Sequence, residues 1–155
     1  MNYEALTITS LGIAQSIIMS AVITQSKLLC QKFNLNSESV DIYALIDTGA
    51  TATCISKSLA KKLKLKVVGQ GMMNTASGMQ KTNQYLIDLQ MQNNISFENI
   101  RAVEFIGNNK FDILIGMDIL MLGDLAITNA KQQTVTSFRI PPDIAHIDYY
   151  KLIRV

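Results

Sequence analysis

The chain has 155 residues, of which 48% are hydrophobic and 17% charged, and its net charge is +2. A chain of this length buries roughly 70% of its unfolded surface on folding, and its low charge content excludes an intrinsically disordered protein. We therefore expect one domain over residues 1–155. Nothing in the charge balance indicates a nucleic-acid partner, because Lys61, Lys62, Lys64 and Lys66 fit the solvated face of a short helix.

Few residues are available as metal ligands or as a nucleophile with its base. The chain has two cysteines, Cys30 and Cys54, and one histidine, His146. Three or four clustered His or Cys ligands are thus unavailable, so we expect no metal and no cofactor. His146 lies near the C-terminus among tyrosines, which disfavours a catalytic triad. Cys54 is expected to be a small buried hydrophobe.

The N-terminal region does not have the pattern of a targeting or membrane segment. The first residues lack a positive charge, and the apolar stretch 11–23 is interrupted by Gln15, Ser16 and Ser20. This pattern disfavours a signal peptide and a membrane span. We expect a cytoplasmic location and no membrane partner.

Most of the chain is predicted to form short strands separated by turns. Alternating or continuously apolar runs predict strands at 17–24, 40–46, 67–75, 80–91, 95–105, 111–115, 125–128 and 134–140. Turn residues stand at 75–78, 93–94, 107–109 and 129–131, and 25–39 is a polar stretch without a predicted element. Short helices are predicted at 57–65, with Ser56 as the N-cap, and at 117–122. This order favours a compact β-barrel or sandwich over a βαβ array.

The most informative motif is the end of the strand at 40–46. There the sequence Ala-Leu-Ile-Asp-Thr-Gly-Ala-Thr places Asp47 directly after an apolar strand. A lone buried carboxylate is costly, so something must hydrogen-bond it or share its proton. Gly49 would let backbone amides approach that carboxylate closely. The alternative is an ordinary β-turn, in which Asp and Gly are common.

A second motif follows about 65 residues later. The strand 111–115 is followed by Gly116, which has no side chain to obstruct a neighbouring strand. Asp118 can then act as a helix N-cap or as an anion in the first helical turn. Taken alone, this motif also fits an ordinary strand-to-helix corner.

Together, and in this order, these features resemble the retropepsin-like aspartic proteases, the single-domain relatives of pepsin found in retroviruses, retrotransposons and cells. That family shows an apolar-apolar-Asp-Thr/Ser-Gly-Ala loop, a flap hairpin, and Ile-Leu/Ile-Gly-x-Asp/Asn before a helix. The corresponding segments here are 45–50, the hairpin at 76–78, and 114–118. The resemblance covers about residues 12–140, leaves 141–155 as a C-terminal tail, and is greatest to bacterial cellular members over 111–141. It implies an all-β fold with one or two short helices: a closed β-barrel with a flap hairpin that forms a homodimer.

The resemblance also implies roles for the loop residues. Asp47 matches the catalytic aspartate. Thr48 matches the residue whose hydroxyl crosses to the partner subunit, and Gly49 matches the position whose carbonyl accepts a hydrogen bond from the substrate backbone. Ala50 completes the active-site loop.

Two further groups of residues follow from the same resemblance. Residues matching the flap that closes over bound peptide are Thr75, Ala76, Ser77 and Gly78. Gly116 matches a structural position beneath the active-site loop, with Asp118 beside it as support. Gly78 is the residue best suited to the positive φ of a tight hairpin.

The sequence departs from the viral members at one pair of positions. Those members usually have Asp where this chain has Thr51 and Arg where it has Met117, and the two charges pair near the dimer interface. Here both are absent together, so neither charge is left buried alone. Eukaryotic cellular members also have an apolar residue at the position of Met117.

A single Asp-Thr-Gly predicts that two chains build one active site. Peptide hydrolysis of this kind needs one carboxylate to activate water and a protonated one to polarise the scissile carbonyl. Two adjacent carboxylates share one proton, and a symmetric homodimer can supply the second Asp47. The expected partners are therefore a second copy and an extended peptide bound as an added strand.

Two alternatives to a peptidase remain open. One is a catalytically silent dimer of the same fold that binds protein segments. The other is a small β-barrel in which Asp-Thr-Gly is accidental, but then the motif at Gly116 must be a coincidence too. The intact sequence at Asp47, Thr48 and Gly49 favours the enzyme, since a binding module has no need for a buried pair of carboxyl groups.

Overall fold

The computed structural model describes residues 2–75, 78–106 and 110–153, with the backbone alone at 73–75. Within these ranges the strands are β1 (Glu4–Leu11), β2 (Ile18–Gln25), β3 (Val40–Ile46), β4 (Cys54–Ser56), β5 (Val67–Thr75), β6 (Gly78–Gln90), β7 (Ser96–Phe105), β8 (Ile113–Ile115), β9 (Asp124–Ala130) and β10 (Gln133–Ile140). The helices are α1 (Lys27–Phe33), α2 (Lys57–Lys62), α3 (Met117–Leu120) and α4 (Tyr149–Leu152), with a single 3-10 turn at Gln92–Asn94.

The strands form two sheets. The larger has the order β2-β3-β8-β4-β7-β6-β5, and β2 pairs with β6 as well as with β3. Two of its pairs, β3 with β8 and β4 with β7, are parallel. The smaller sheet is antiparallel and has the order β1-β10-β9. Both edges of β2 are therefore hydrogen-bonded, and β5 lies at the outer end of the larger sheet.

The core lies inside the larger sheet and follows the alternation of its strands. On β6 the predicted face of Tyr85, Ile87, Leu89 and, just past the strand, Met91 is buried. On β8 the core residues Ile113 and Ile115 are fully buried, whereas Leu114 between them is only half-buried. This period of two is the expected signature of a strand with one buried face.

All eight predicted strands are present, with ends displaced by a few residues. β3 and β5 coincide with the predicted ranges 40–46 and 67–75. β9 extends beyond its predicted range, 125–128, at both ends. The turn predicted at 129–131 lies later, because β9 continues to Ala130. Lys131 and Gln132 adopt left-handed backbone angles, with φ of 50° and 59°, which fits a two-residue hairpin turn.

The predicted helices are present but short. Ser56 caps α2 as predicted, its Oγ accepting a hydrogen bond from the Leu59 amide at 3.2 Å. The helix ends at Lys62 rather than at residue 65, and Lys64 beyond it has a φ of 50°. The second helix, α3, ends at Leu120 rather than at residue 122.

The expectation of one or two short helices was wrong, since α1 and α4 bring the described α-helices to four. α1 lies in the polar stretch 25–39, and Asp88 of β6 accepts a hydrogen bond from the amide of Lys27, its first residue, at 2.9 Å. The helix also buries Leu29. A helix of seven residues stabilised by contacts from a distant strand has little local signal.

Two strands were not predicted. β1 precedes residue 12, where the family resemblance begins, and pairs along its length with β10. Leu6 of β1 is 1% exposed and belongs to the core. β4 has only three residues, too few for a visible alternation.

In the described part of the chain, no helix has the length and apolar character needed to cross a membrane.

Candidate active site

Asp47 stands at the end of β3, where the parallel pairing with β8 runs out. Ile46 is the last paired residue of β3, opposite Ile115, and the Asp47 amide still donates to the Ile115 carbonyl at 3.0 Å. The chain then turns, and the Gly49 amide donates to Asp47 Oδ1 at 2.9 Å. The Ala50 amide donates to the Asp47 carbonyl at 3.2 Å. The half-buried carboxylate is thus oriented by its own loop.

The following loop is held against the start of α3 by backbone hydrogen bonds. The Met117 amide donates to the Ala50 carbonyl at 2.8 Å, and the Asp118 amide donates to the Thr51 carbonyl at 3.2 Å. These bonds do not depend on the side chains of Thr51 or Met117. The loop is therefore fixed even though the viral-type charge pair is absent at these two positions.

Gly116 makes this close approach possible. A Cβ at this position would lie 2.5 Å from the carbonyl carbon of Ala52 and 2.9 Å from the carbonyl oxygen of Ala50. Both contacts are with backbone, which cannot move aside as a flexible side chain would. Glycine is required here by the packing of two backbone segments.

Asp118 and Thr53 complete the support of the loop. Thr53 is fully buried, and its hydroxyl donates to Asp118 Oδ1 at 2.8 Å and accepts from the Gly116 amide at 3.2 Å. Asp118 Oδ1 also accepts from the Ile119 amide at 3.0 Å. Of the two roles expected for Asp118, it takes that of the first-turn anion, since Gly116 occupies the N-cap position. The role of Thr53 was not predicted, because a single Thr gives no local signal.

A cavity of about 500 Å³ opens beside Asp47. Its apolar wall consists of Cys54, Met72, Val103, Phe105 and Leu114. No charged side chain other than Asp47 lines it among the described residues. Such an environment suits an apolar side chain of a ligand, with the carboxylate at its edge.

Strand register builds this wall. Leu45 lies opposite Leu114, Leu114 opposite Cys54, and Cys54 opposite Val103. Residues directly opposite one another in a sheet point to the same face, so the row crosses four strands and ends in the cavity. The row could not be predicted from the sequence, because its residues come from strands far apart in the chain.

Cys54 lies in the wall as a neutral thiol. It is 8% exposed, and its Sγ donates to the Ala52 carbonyl at 3.3 Å. Burial raises its pKa to about 11, with smaller contributions from the negative charges of Asp118 and Asp47. The thiol is therefore protonated at neutral pH, as expected for a small buried hydrophobe.

The β5–β6 hairpin borders the same cavity through Met72. The backbone of Thr75 pairs with that of Gly78, whose φ is +105°. Apart from its chain neighbours, a Cβ added at Gly78 would meet nothing within 4 Å among the described residues. The positive φ agrees with the predicted turn role of Gly78. Ala76 and Ser77, which were predicted at the flap tip, lie outside the described residues, as does the side chain of Thr75.

Thr48 and Gly49 lie on the exposed side of the loop. Within the part of the chain that the structure describes, the Thr48 hydroxyl has no hydrogen-bond partner. The same part of the chain contains no group of three or more His, Cys, Asp or Glu residues close enough to hold a metal ion.

The fold has a counterpart among solved structures. The crystal structure of a retropepsin-like aspartic protease from Rickettsia conorii matches with a TM-score of 0.54 and 17% sequence identity, covering 90% of this chain and 96% of that one. At this identity the match shows the fold, which is retropepsin-like. The sequence model of the family described as "gag-polyprotein putative aspartyl protease" matches residues 32–121, more than half of the chain. The chain therefore belongs to this family of aspartyl proteases. No curated protein matches the sequence.

Proposed function

We propose that the protein is an aspartic endopeptidase whose active site is shared by two copies of the chain. The observation that carries this proposal is the position of Asp47, held in a fixed loop against Gly116 and facing an apolar cavity. The chain has one Asp-Thr-Gly sequence, whereas the reaction needs two carboxyl groups. A two-fold axis through the loop would bring the second Asp47 from the partner.

The chemistry follows from one proton shared by two carboxyl groups. The ionised Asp47 removes a proton from a water molecule, which attacks the scissile carbonyl carbon. The protonated Asp47 donates its hydrogen bond to the carbonyl oxygen as negative charge develops there. Transfer of a proton to the amide nitrogen then lets the carbon–nitrogen bond break. Activity should be highest at acidic pH and fall as the pair loses its shared proton.

Local features support the dimer and the closed barrel. The exposed Thr48 hydroxyl, free of a partner within the described residues, is available to the loop of a second copy. The pairing of β2 with both β3 and β6 supports closure of the larger sheet into a barrel. We include in this proposal a peptide substrate bound along the β5–β6 hairpin as an added strand, and a cytoplasmic location, which suits the two unbonded cysteines.

The sharpest test uses a peptide library and mixed dimers. The wild type should cleave a defined set of library peptides, and Asp47→Asn should cleave none. When excess Asp47→Asn protein is mixed with a fixed amount of wild type, activity should fall, because hybrid dimers have only one ionisable carboxyl group.

Two results would contradict the proposal. Activity that stays proportional to the wild-type protein alone, together with a monomer in sedimentation, would exclude the shared site. A wild type that cleaves nothing but binds library peptides as a dimer would favour the silent binding module.

A further inference from the structure

The β5–β6 hairpin leaves the rest of the larger sheet at a definite point. β6 pairs with β7 from Gln90 up to Gln84, which lies opposite Val103. Among the described residues, 78–83 of β6 have backbone pairs only on β5. Beyond Gln84 the hairpin is thus a two-stranded arm, and two-stranded hairpins are marginally stable in water. We call the described residues 69–75 and 78–83 the arm.

Side chains continue the connection where the backbone ladder between β6 and β7 ends. The Thr82 hydroxyl donates to the Glu104 carbonyl at 2.5 Å. The Tyr85 hydroxyl donates to Glu104 Oε2 at 2.5 Å, and Asn83 Nδ2 lies 3.5 Å from the same oxygen. Three residues of β6, on either side of Gln84, are thus attached to one residue of β7. We call Thr82, Asn83, Tyr85 and Glu104 the clamp.

Tyr85 and Glu104 of the clamp are buried, which makes their polar groups costly unless they are paired. Tyr85 is 5% exposed and Glu104 is 8% exposed. Burial and the hydrogen bond to Glu104 raise the pKa of Tyr85 to about 12, so its hydroxyl remains a donor. Lys57 Nζ lies 3.9 Å from Glu104 Oε1 and supplies a positive charge. Apolar residues of similar volume could fill this space without the cost of burying a carboxylate. What the clamp provides beyond packing is therefore its set of hydrogen bonds between β6 and β7.

The clamp also joins the two sides of the active-site cavity. Val103 and Phe105, the neighbours of Glu104 on β7, line one side, and Met72 of the arm lines another. Any change in the angle between the arm and β7 therefore changes the width of the cavity beside Asp47.

We propose that Glu104 is a positioning residue that sets the angle of the β5–β6 arm over the cavity, through its bonds to Thr82, Asn83 and Tyr85. The inference rests on the proposed function for its kinetic consequence. A loosened arm must be ordered when substrate binds, so its cost falls on KM more than on kcat. The geometric part concerns the arm itself and can be measured without any catalytic assay.

The experiment compares Thr82→Val and Tyr85→Phe with a matched control. Thr128→Val removes a similar bond, from a Thr hydroxyl to the carbonyl of Val135 across the β9–β10 ladder, at 3.3 Å. Thr82 is only half-buried, so Thr82→Val keeps the test valid if Tyr85→Phe fails to fold. The readouts are amide hydrogen exchange along 69–83 and along β3, and KM and kcat for one peptide that the wild type cleaves.

Both clamp variants should accelerate exchange in the arm by roughly two- to tenfold, the factor that one net hydrogen bond represents, and leave β3 unchanged. In both clamp variants KM should rise with little change in kcat. The control Thr128→Val should match the wild type. Glu104→Gln retains an acceptor for the Tyr85 hydroxyl and should remain close to the wild type. Unchanged exchange in the arm, or equal acceleration in β3, would overturn the inference. If the wild type cleaves no peptide, the proposed function fails, while the exchange rates still decide whether the clamp holds the arm.

Discussion

The loop that bears Asp47 and the two-stranded β5–β6 arm border the same cavity, but they are held in different ways. The loop is fixed by backbone hydrogen bonds to β8 and α3, and Gly116 packs against its backbone without space for a methyl group. The arm has one backbone ladder, and a Cβ at Gly71 would meet only the end of the Gln84 side chain, at 2.8 Å. Under the proposed function, the carboxylate of Asp47 thus lies on the rigid loop, and the segment that would have to admit substrate is the less firmly held arm.

The largest expected effect is at the rigid element. Asp47→Asn should reduce cleavage by at least about 10²- to 10⁴-fold, which leaves no detectable cleavage of the library peptides, because an amide cannot act as a general base. The melting temperature should change little, since the amide oxygen can still accept the hydrogen bond from Gly49. Asp41→Asn, an exposed position on the same strand, is the matched control and should keep wild-type turnover. Equal turnover for Asp47→Asn and wild type would remove Asp47 from the mechanism.

A pair of glycine substitutions tests the difference in rigidity directly. Gly116→Ala should lower the free energy of unfolding by about 1–3 kcal/mol, because its methyl group meets fixed backbone. Gly71→Ala should cost less than about 1 kcal/mol, because Gln84 can rotate away and alanine loses less conformational freedom than glycine. Urea denaturation of both variants gives the comparison. Similar losses at the two sites would mean that the arm is packed as tightly as the loop.

A third substitution tests whether the arm acts as a flap. Gly78→Val places a β-branched residue at a φ of +105°, which only glycine adopts readily. No atom of the described residues, apart from the chain neighbours, lies within 4 Å of the new Cβ. The cost is therefore confined to backbone strain at one exposed position, and the melting temperature should fall slightly. Peptide turnover should fall by about tenfold or more, because small displacements of substrate-positioning groups are costly in rate. Unchanged turnover would show that this hairpin is not the flap.

The smallest expected effect concerns the reactivity of Cys54 in the apolar wall of the cavity. With a pKa raised from 9.0 to about 11, the Cys54 thiolate is roughly 100-fold scarcer at neutral pH than in an unperturbed thiol. In Cys30→Ser protein, Cys54 should therefore react slowly with a thiol reagent, whereas Cys30 in Cys54→Ser protein should react faster because it is partly exposed. Measured labelling rates that are equal would show that the wall opens to solvent.

Features carried by a few neighbouring residues could be predicted from the sequence. The strand 40–46 and the loop after it depend on an apolar alternation followed by Asp47, Thr48 and Gly49. Gly78 was assigned to a turn by its tolerance of positive φ, and Ser56 to an N-cap by its hydroxyl. In each case the physical cause lies within three or four residues of the effect.

Other elements could not be predicted because their cause lies far away in the chain. β1 is stabilised by β10, more than 120 residues later, and α1 receives its N-terminal hydrogen bond from Asp88. Seven residues of helix or three of strand bring too little local free energy to be visible in sequence. Their formation depends on contacts that exist only after the larger sheet has assembled.

The sequence by itself determined which residue is the candidate for catalysis, because Asp47 with Gly49 and the later Gly116 motif need particular residue types at fixed local spacings. Only the tertiary structure decided what surrounds it. The cavity wall and the Glu104 clamp arise from the register of β4, β6, β7 and β8, and register is a relation between distant strands. A shift of β7 by one residue against β4 and β6 would turn Val103 away from the cavity and bring Glu104 towards it, while the local motifs would remain unchanged.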